Sequence, residues 1–185
     1  MHIEAEKKLF TTDDFSKMYE AGILNNDERV ELVDGEIIKL NPGKRHVGCS
    51  IRATALFTKV SADRACVSIQ NPVVIDLHNE PKPDIVVLKF RDDFYAGIEP
   101  SPEHALLVVE ISDTTLRMDR ERKLPKYAKN GVPEYWIEDL NANLLHVYRD
   151  PVRNRYKTYF ILRPGDSISP VAFPDVSFKV EDLIG

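Results

Sequence analysis

The stretch at residues 105–112, "ALLVVEIS", limits what this chain can become more than any other. Leu106, Leu107, Val108, Val109 and Ile111 make an apolar run of strand length, interrupted by Glu110. Such a run reads as a buried strand. An ionised carboxylate in a dry interior costs several kcal/mol unless it is paired or metal-bound. The fold must therefore bring Glu110 either a cationic side chain, such as an arginine, or a metal ion.

A second apolar run carries an acid of its own. In "PKPDIVVLKF", Asp84 stands at the mouth of Ile85-Val86-Val87-Leu88. Two carboxylates at adjacent strand ends repel each other, and a hard divalent cation between them removes the repulsion. Mg²⁺ takes one or two carboxylates, together with waters and substrate phosphates. An ion of this kind polarises a phosphodiester and activates water. Glu31, in "VELVDG", is a third acid on a strand. By itself it carries little weight, because Glu36 lies across the same hairpin and either could be solvated. The Pro-Asp dipeptide decides nothing alone, since it recurs as an ordinary turn at Pro174-Asp175.

The remaining sequence supplies the frame. A chain of 185 residues, 43% hydrophobic and 30% charged, fits one domain spanning 1–185 with a substantial core. "TTDDFSKMYEAG" predicts a first helix capped by Thr12 and ended by Gly22. Asp34-Gly35 between two short alternating runs predicts a hairpin. "NPGKRH" reads as a loop. The segment after it reads as a second helix with Val47, Ile51, Ala55, Leu56 and Val60 facing inward. Then come strand, Pro-rich loop, strand, a polar loop, the opening strand and a basic helix ending at Asn130-Gly131. A hairpin, edge strands and a short final helix, "KVEDLI", close the chain. The fold class is mixed α/β (α+β), with a mostly antiparallel central sheet flanked by helices. Neither a signal-peptide core at the charged N-terminus, "MHIEAEKKLF", nor an apolar run of ~18 residues for a membrane span is visible. Cys49 and Cys66 make no disulfide framework and read as reduced thiols of a cytoplasmic protein. The net charge of -5 does not favour nucleic acid, although phosphate binding depends on local patches.

An acid after proline on one strand and a Glu on the next resembles the frame of the PD-(D/E)XK nuclease superfamily. There a lysine normally stands two residues beyond the Glu, a position held here by Ser112. The wider pattern "ELVDG…NPGKRH…QNPVVI…KPDIVVL…LVVEIS…DRERKLPKYAKNGVPEYWIEDL" is similar to the putative restriction endonuclease family of that superfamily, over roughly residues 10–180. The resemblance implies a restriction-endonuclease-like core in which the lysine has moved to the following helix, as Lys123. It implies Glu31, Asp84 and Glu110 as ligands of Mg²⁺ or Mn²⁺, Lys123 as orienter of water or stabiliser of charge, Gln70 as a polar neighbour and His46 as a residue touching the scissile phosphate. Asp119, Lys123 and Tyr127 share a face at i, i+4, i+8, although Pro125 should kink the helix before Tyr127. Removing Lys123 should then hurt catalysis much more than folding.

Six basic residues at 117–129 and four at 149–157 are read as flanks of the site and as a duplex DNA contact. The function expected is a Mg²⁺-dependent DNA endonuclease working through activated water, with a homodimer as the common arrangement for cutting both strands. The alternatives are a catalytically inactive relative serving as a nucleic-acid-binding or protein-interaction module, favoured by Ser112 and the acidic net charge, and a metal-free carboxylate-pair enzyme such as a glycosidase.

Overall fold

In the computed structural model, which describes residues 7–25 and 27–185, the opening stretch is β5 of a larger sheet. The elements before it are α1 (Thr12–Glu20), β1 (Val30–Val33), β2 (Glu36–Lys39), α2 (Lys44–Ser61), β3 (Ala65–Ile69) and β4 (Ile85–Lys89). β5 (Ala105–Ser112) is followed by a helix in three parts: α3 (Leu116–Met118), a π turn (Asp119–Lys123) and α4 (Leu124–Lys129). The chain continues through β6 (Glu134–Asp139), β7 (Leu144–Val152), β8 (Arg155–Leu162), β9 (Ser167–Ile168), β10 (Phe178–Lys179) and α5 (Val180–Ile184). The first six residues of the charged N-terminal stretch lie outside the described residues.

Six strands form the central sheet in the order β3-β4-β5-β6-β7-β8. All neighbours are antiparallel except β5 and β6. That parallel pair needs a crossover, and the α3–α4 helix provides it. Apart from Glu110 and Ser112, β5 is apolar because both of its faces are covered. Leu107, Val109 and Ile111 pack with Cys49, Ala53 and Phe57 of α2, with Trp136, and with Leu183 of α5. Val108 faces the other way, into a cluster with Tyr127 of α4, Tyr135 and Ile137. Strand alternation puts Glu110 and Ser112 on this second face, beside α4. Cys49 and Cys66 are free, buried thiols.

Local signals hold with some shifts. The hairpin forms at Asp34 and Gly35, both at positive φ (55° and 68°), as the turn requires. A Cβ at Gly35 would lie 2.6 Å from Leu9 Cβ, so close approach also demands glycine there. Thr11, not Thr12, caps α1, through a reciprocal capping box with Asp14. α2 starts at Lys44, inside the segment read as a loop, and its inward stripe differs from the one expected. Cys49, Ala53 and Phe57 are buried, Leu56 and Val60 are partly buried, and Ala55 is exposed. Val47 (41%) and Ile51 (68%) are also exposed, because the sheet meets the face rotated by two residues from theirs. β9 and β10 pair with each other as a separate ribbon. Among the described residues, no helix is long and apolar enough to cross a membrane.

Candidate active site

The neutraliser of Glu110 is a lysine. Lys123, the last residue of the π turn, is 3% exposed. Its Nζ stands 3.0 Å from Glu31 Oε2, 3.2 Å from Glu110 Oε1 and 3.6 Å from Asp119 Oδ1. Tyr127 Oη donates to Glu110 Oε1 at 3.4 Å. Pro125 therefore does not carry Tyr127 off this face. It falls in the first turn of α4, where its missing N–H costs least, and the π turn immediately upstream absorbs the irregularity. Burial raises the Glu110 pKa well above the carboxylate range; the Lys123 charge opposes this, while the Asp119, Asp84 and Glu31 charges add to it. Burial alone would lower the Lys123 pKa, but Glu110, Glu31 and Asp119 outweigh it and hold the ammonium charged.

Asp84, one residue before β4, is held by three donors. Its Oδ2 accepts from the Ile111 backbone N–H at 2.8 Å and from His46 Nε2 at 3.0 Å, and its Oδ1 accepts from Gln70 Nε2 at 3.2 Å. His46 comes from the first turn of α2, and its Nδ1 is buried without a partner. Gln70 sits in the left-handed region (φ 53°), where its N–H reaches the carbonyls of Pro83 and Asp84. A strained backbone at such a position is held by its surroundings.

Asp84, Glu110, His46, Gln70, Asp119 and Lys123 line one cleft of about 860 Å³. Glu31 does not line it. It is fully buried behind Lys123, with Oε2 accepting from the Lys82 N–H at 3.0 Å and Oε1 unpartnered. The structure thus gathers five of the six expected site residues around the cleft and sets Glu31 behind the lysine. His46 and Gln70 are bonded to Asp84. Asp119 is the member that sequence reasoning left out, although its place four residues before Lys123 on one face was the available signal.

The donor set suits a hard divalent cation. The acids available are oxygen donors, and two buried oxygens, Glu31 Oε1 and Asp119 Oδ1, have no hydrogen-bond partner. Four buried acids, Glu31, Asp84, Glu110 and Asp119, share one lysine and one histidine. Among the described residues, no group of three His, Cys, Asp or Glu side chains is placed to hold a metal ion by itself. Mg²⁺ does not need one, because it fills most of its octahedron with water and substrate oxygens.

The basic clusters are less available than their composition implied. Arg117 pairs with Glu121, Arg122 with Asp34 and Glu36, and Lys126 with Asp34. Arg117 and Arg122 do line the cleft. The cluster at 149–157 does not flank it. Ser112, Asp139 and Leu144 are register partners at the site's end of the sheet, whereas Arg149 pairs with Glu134 at the other end and Arg153 lies in the β7–β8 turn beyond.

A family model described as "Putative restriction endonuclease" (Uma2) matches residues 12–181. A crystal structure described as a putative nuclease belonging to DUF820, from Anabaena variabilis ATCC 29413, is similar with a TM-score of 0.72 and 17% identity, over 95% of this chain and 97% of that one. At that identity the likeness speaks for the fold. No curated protein matches the chain.

Proposed function

Since the chain belongs to the putative restriction endonuclease family, we propose that it is a divalent-metal-dependent endonuclease that hydrolyses phosphodiester bonds of duplex DNA through an activated water. The convergence of Asp84, Glu110 and Lys123 in one cleft carries this reading. Asp84 and Glu110, which line the cleft, are the residues to hold Mg²⁺ or Mn²⁺, and Glu31, expected as a third ligand, adds its charge from behind Lys123. When bound, the ion supplies polarisation of the phosphodiester and a lowered pKa for water. Asp84 is presented in a fixed orientation by Ile111 N–H, His46 and Gln70. Lys123, charged and buried, stabilises the negative charge that develops on the phosphate or orients the attacking water. No side chain needs to form a covalent intermediate. Arg117 and Arg122 at the cleft are the first phosphate contacts for DNA, and a two-fold homodimer would bring one site to each strand. The buried free thiols accord with action in the cytoplasm.

The test is cleavage of supercoiled plasmid, linear duplex and single-stranded RNA by the full chain, with Mg²⁺ or Mn²⁺ and with chelator, beside Asp84→Ala. Duplex cleavage that needs the ion and is lost in Asp84→Ala is expected, with binding that weakens steeply between two salt concentrations. Binding without cleavage would favour the inactive-module reading. Cleavage of RNA alone would replace the substrate but keep the chemistry.

A further inference from the structure

Ser112 occupies the position at which the superfamily frame has its lysine, and it is not idle. Its Oγ donates to Asp119 Oδ2 at 2.6 Å, and Thr115 Oγ1 donates to the same oxygen at 2.7 Å. Asp119 is 1% exposed. Its other oxygen, Oδ1, accepts no hydrogen bond and faces Lys123 Nζ at 3.6 Å. The backbone is fixed as well. Asp119 N–H bonds to Thr115 O, and Asp119 O accepts both the Leu124 N–H that closes the π turn and Tyr135 Oη.

This arrangement is costly unless it has a purpose. A buried carboxylate oxygen without a hydrogen bond forfeits a stabilising contact. An ammonium has three N–H donors, and here three carboxylates surround it from three elements: Glu31 from β1, Glu110 from β5 and Asp119 from the π turn. Glu110 belongs to the proposed metal-binding pair, so its oxygens are shared between the lysine and any ion, and the Glu31 oxygen that meets the lysine also accepts the Lys82 N–H. Asp119 is held by two hydroxyls on Oδ2 and keeps Oδ1 for the lysine alone.

We infer that Asp119, clamped by Ser112 and Thr115, is a positioning residue that fixes the Lys123 ammonium over the cleft while Glu110 serves the ion. The inference rests on the nuclease reading for its consequence but not for its geometry. It also gives the Ser112 substitution a physical account. A side chain at 112 and one at 123 converge on the same carboxylate, so a lysine arriving from the helix takes the place near Glu110, and the small hydroxyl at 112 leaves room and supplies the clamp.

The experiment uses the full chain labelled with ¹⁵N at lysine. A buried, fixed ammonium exchanges its protons slowly enough to give its own ¹H–¹⁵N signal, assigned to Lys123 by its loss in Lys123→Met. In Asp119→Asn this signal should broaden away. It should persist in Tyr135→Phe, which weakens the same turn without touching the carboxylate. In parallel, kcat for DNA cleavage should fall roughly 10- to 100-fold in Asp119→Asn, with KM little changed, the range for outer-shell partners of a reactive site. If Asp119→Asn does not fold, Ser112→Ala should weaken the signal and kcat in the same direction, and Ser112→Thr should restore them. A signal as sharp in Asp119→Asn or Ser112→Ala as in the wild type overturns the inference. So does unchanged kcat in a wild-type background that cleaves. If the signal depends on Asp119 but the wild type cuts no nucleic acid, the positioning contact stands and the nuclease reading falls.

Discussion

Two buried glutamates, Glu110 in the middle of the parallel β5–β6 pairing and Glu134 at the first position of β6, have surroundings that could hardly differ more. Glu134 Oε1 accepts from Arg149 Nε at 2.7 Å and Trp136 Nε1 at 2.8 Å, and its Oε2 accepts from the Val171 N–H at 2.7 Å. Arg149 goes on to bond Ser169 O, so the acid ties β6, β7 and the segment at 169–171 together. Every strong donor nearby is used, and no oxygen is left over. Glu110 instead shares one lysine with two other acids, at longer distances, in a cluster with two orphaned oxygens. A buried acid with a full set of donors is fastening the fold. A buried acid in a crowd of acids is being held in readiness for positive charge from outside. The sequence around Glu110 advertised its burial, whereas nothing around Glu134 distinguished it.

Breaking the fastener should give the largest effect. Glu134→Ala strips a partly buried guanidinium, an indole N–H and a backbone N–H of their acceptor. It should lose about 3–5 kcal/mol of stability by urea unfolding, the scale for breaking a buried pair. Mn²⁺ affinity measured by calorimetry on the remaining folded protein should not change. A loss of metal binding there would erase the contrast between the two glutamates.

Next is Lys123. Lys123→Met should cut DNA cleavage by ~10²-fold or more, equivalent to about 2.7 kcal/mol, while Lys126→Ala, on a partly exposed lysine bonded to Asp34 and Arg122 O, should lose far less. Beside the expected loss of catalysis, the structure points to a smaller cost in folding. Removing this ammonium leaves Glu31, Glu110 and Asp119 crowded without their shared cation. The folded variant will then favour a protonated Glu110, so it should be less stable than the wild type at pH 7, and the deficit should shrink as the pH falls towards 5. A deficit that is flat with pH would mean that the ammonium matters only to packing.

A third buried acid sharpens the comparison by pH. Glu138 is fully buried, accepts a hydrogen bond from the Cys49 thiol at 3.0 Å, and is pushed up to about 8, chiefly by burial. The folded protein keeps the proton that the unfolded chain releases near pH 4.5. Stability from this group is therefore fully present below about 4.5 and is lost as the pH rises through about 8, at up to ~1.4 kcal/mol per pH unit. Glu138→Gln should remove that slope. If thermal melts of the variant and the wild type differ by the same amount at pH 5, 7 and 8.5, Glu138 is not the titrating group.

The smallest effect belongs to Gln70, which gives Asp84 one of its three bonds. Gln70→Ala should weaken Mn²⁺ binding by about 5-fold, the worth of one hydrogen bond of ~1 kcal/mol. No change at all would mean that Ile111 N–H and His46 suffice to orient Asp84.

Much of this was legible in the chain. The hairpin at Asp34-Gly35 was readable because a turn with two positive-φ residues has few sequence solutions. The acids at Asp84 and Glu110 stood out because a charged residue on an apolar strand needs a partner. The inward face of α2 was misread because its apolar residues are spread around the helix, so the face that meets the sheet is chosen by packing. The cluster at 149–157 looked like part of the site because charge composition carries no information on which end of a strand faces which. Asp119 shared a face with Lys123 in the sequence, yet nothing local showed that the hydroxyls of Ser112 and Thr115 would clamp it.

By itself, then, the sequence determined where buried strands run and that two of them end in acids, since hydrophobic period and the cost of buried charge are local properties. It also fixed that a lysine follows on a helix, at a spacing that keeps it in line with Asp119 and Tyr127. Only the tertiary structure decided who neutralises whom. The parallel crossover from β5 through the π turn to β6 brings residues 13 apart, Glu110 and Lys123, within 3.2 Å. The β1–β2 hairpin delivers Glu31 to the same ammonium from a distant part of the chain. Coulomb energy depends on distance in space and on the local dielectric, and neither is written in the order of residues.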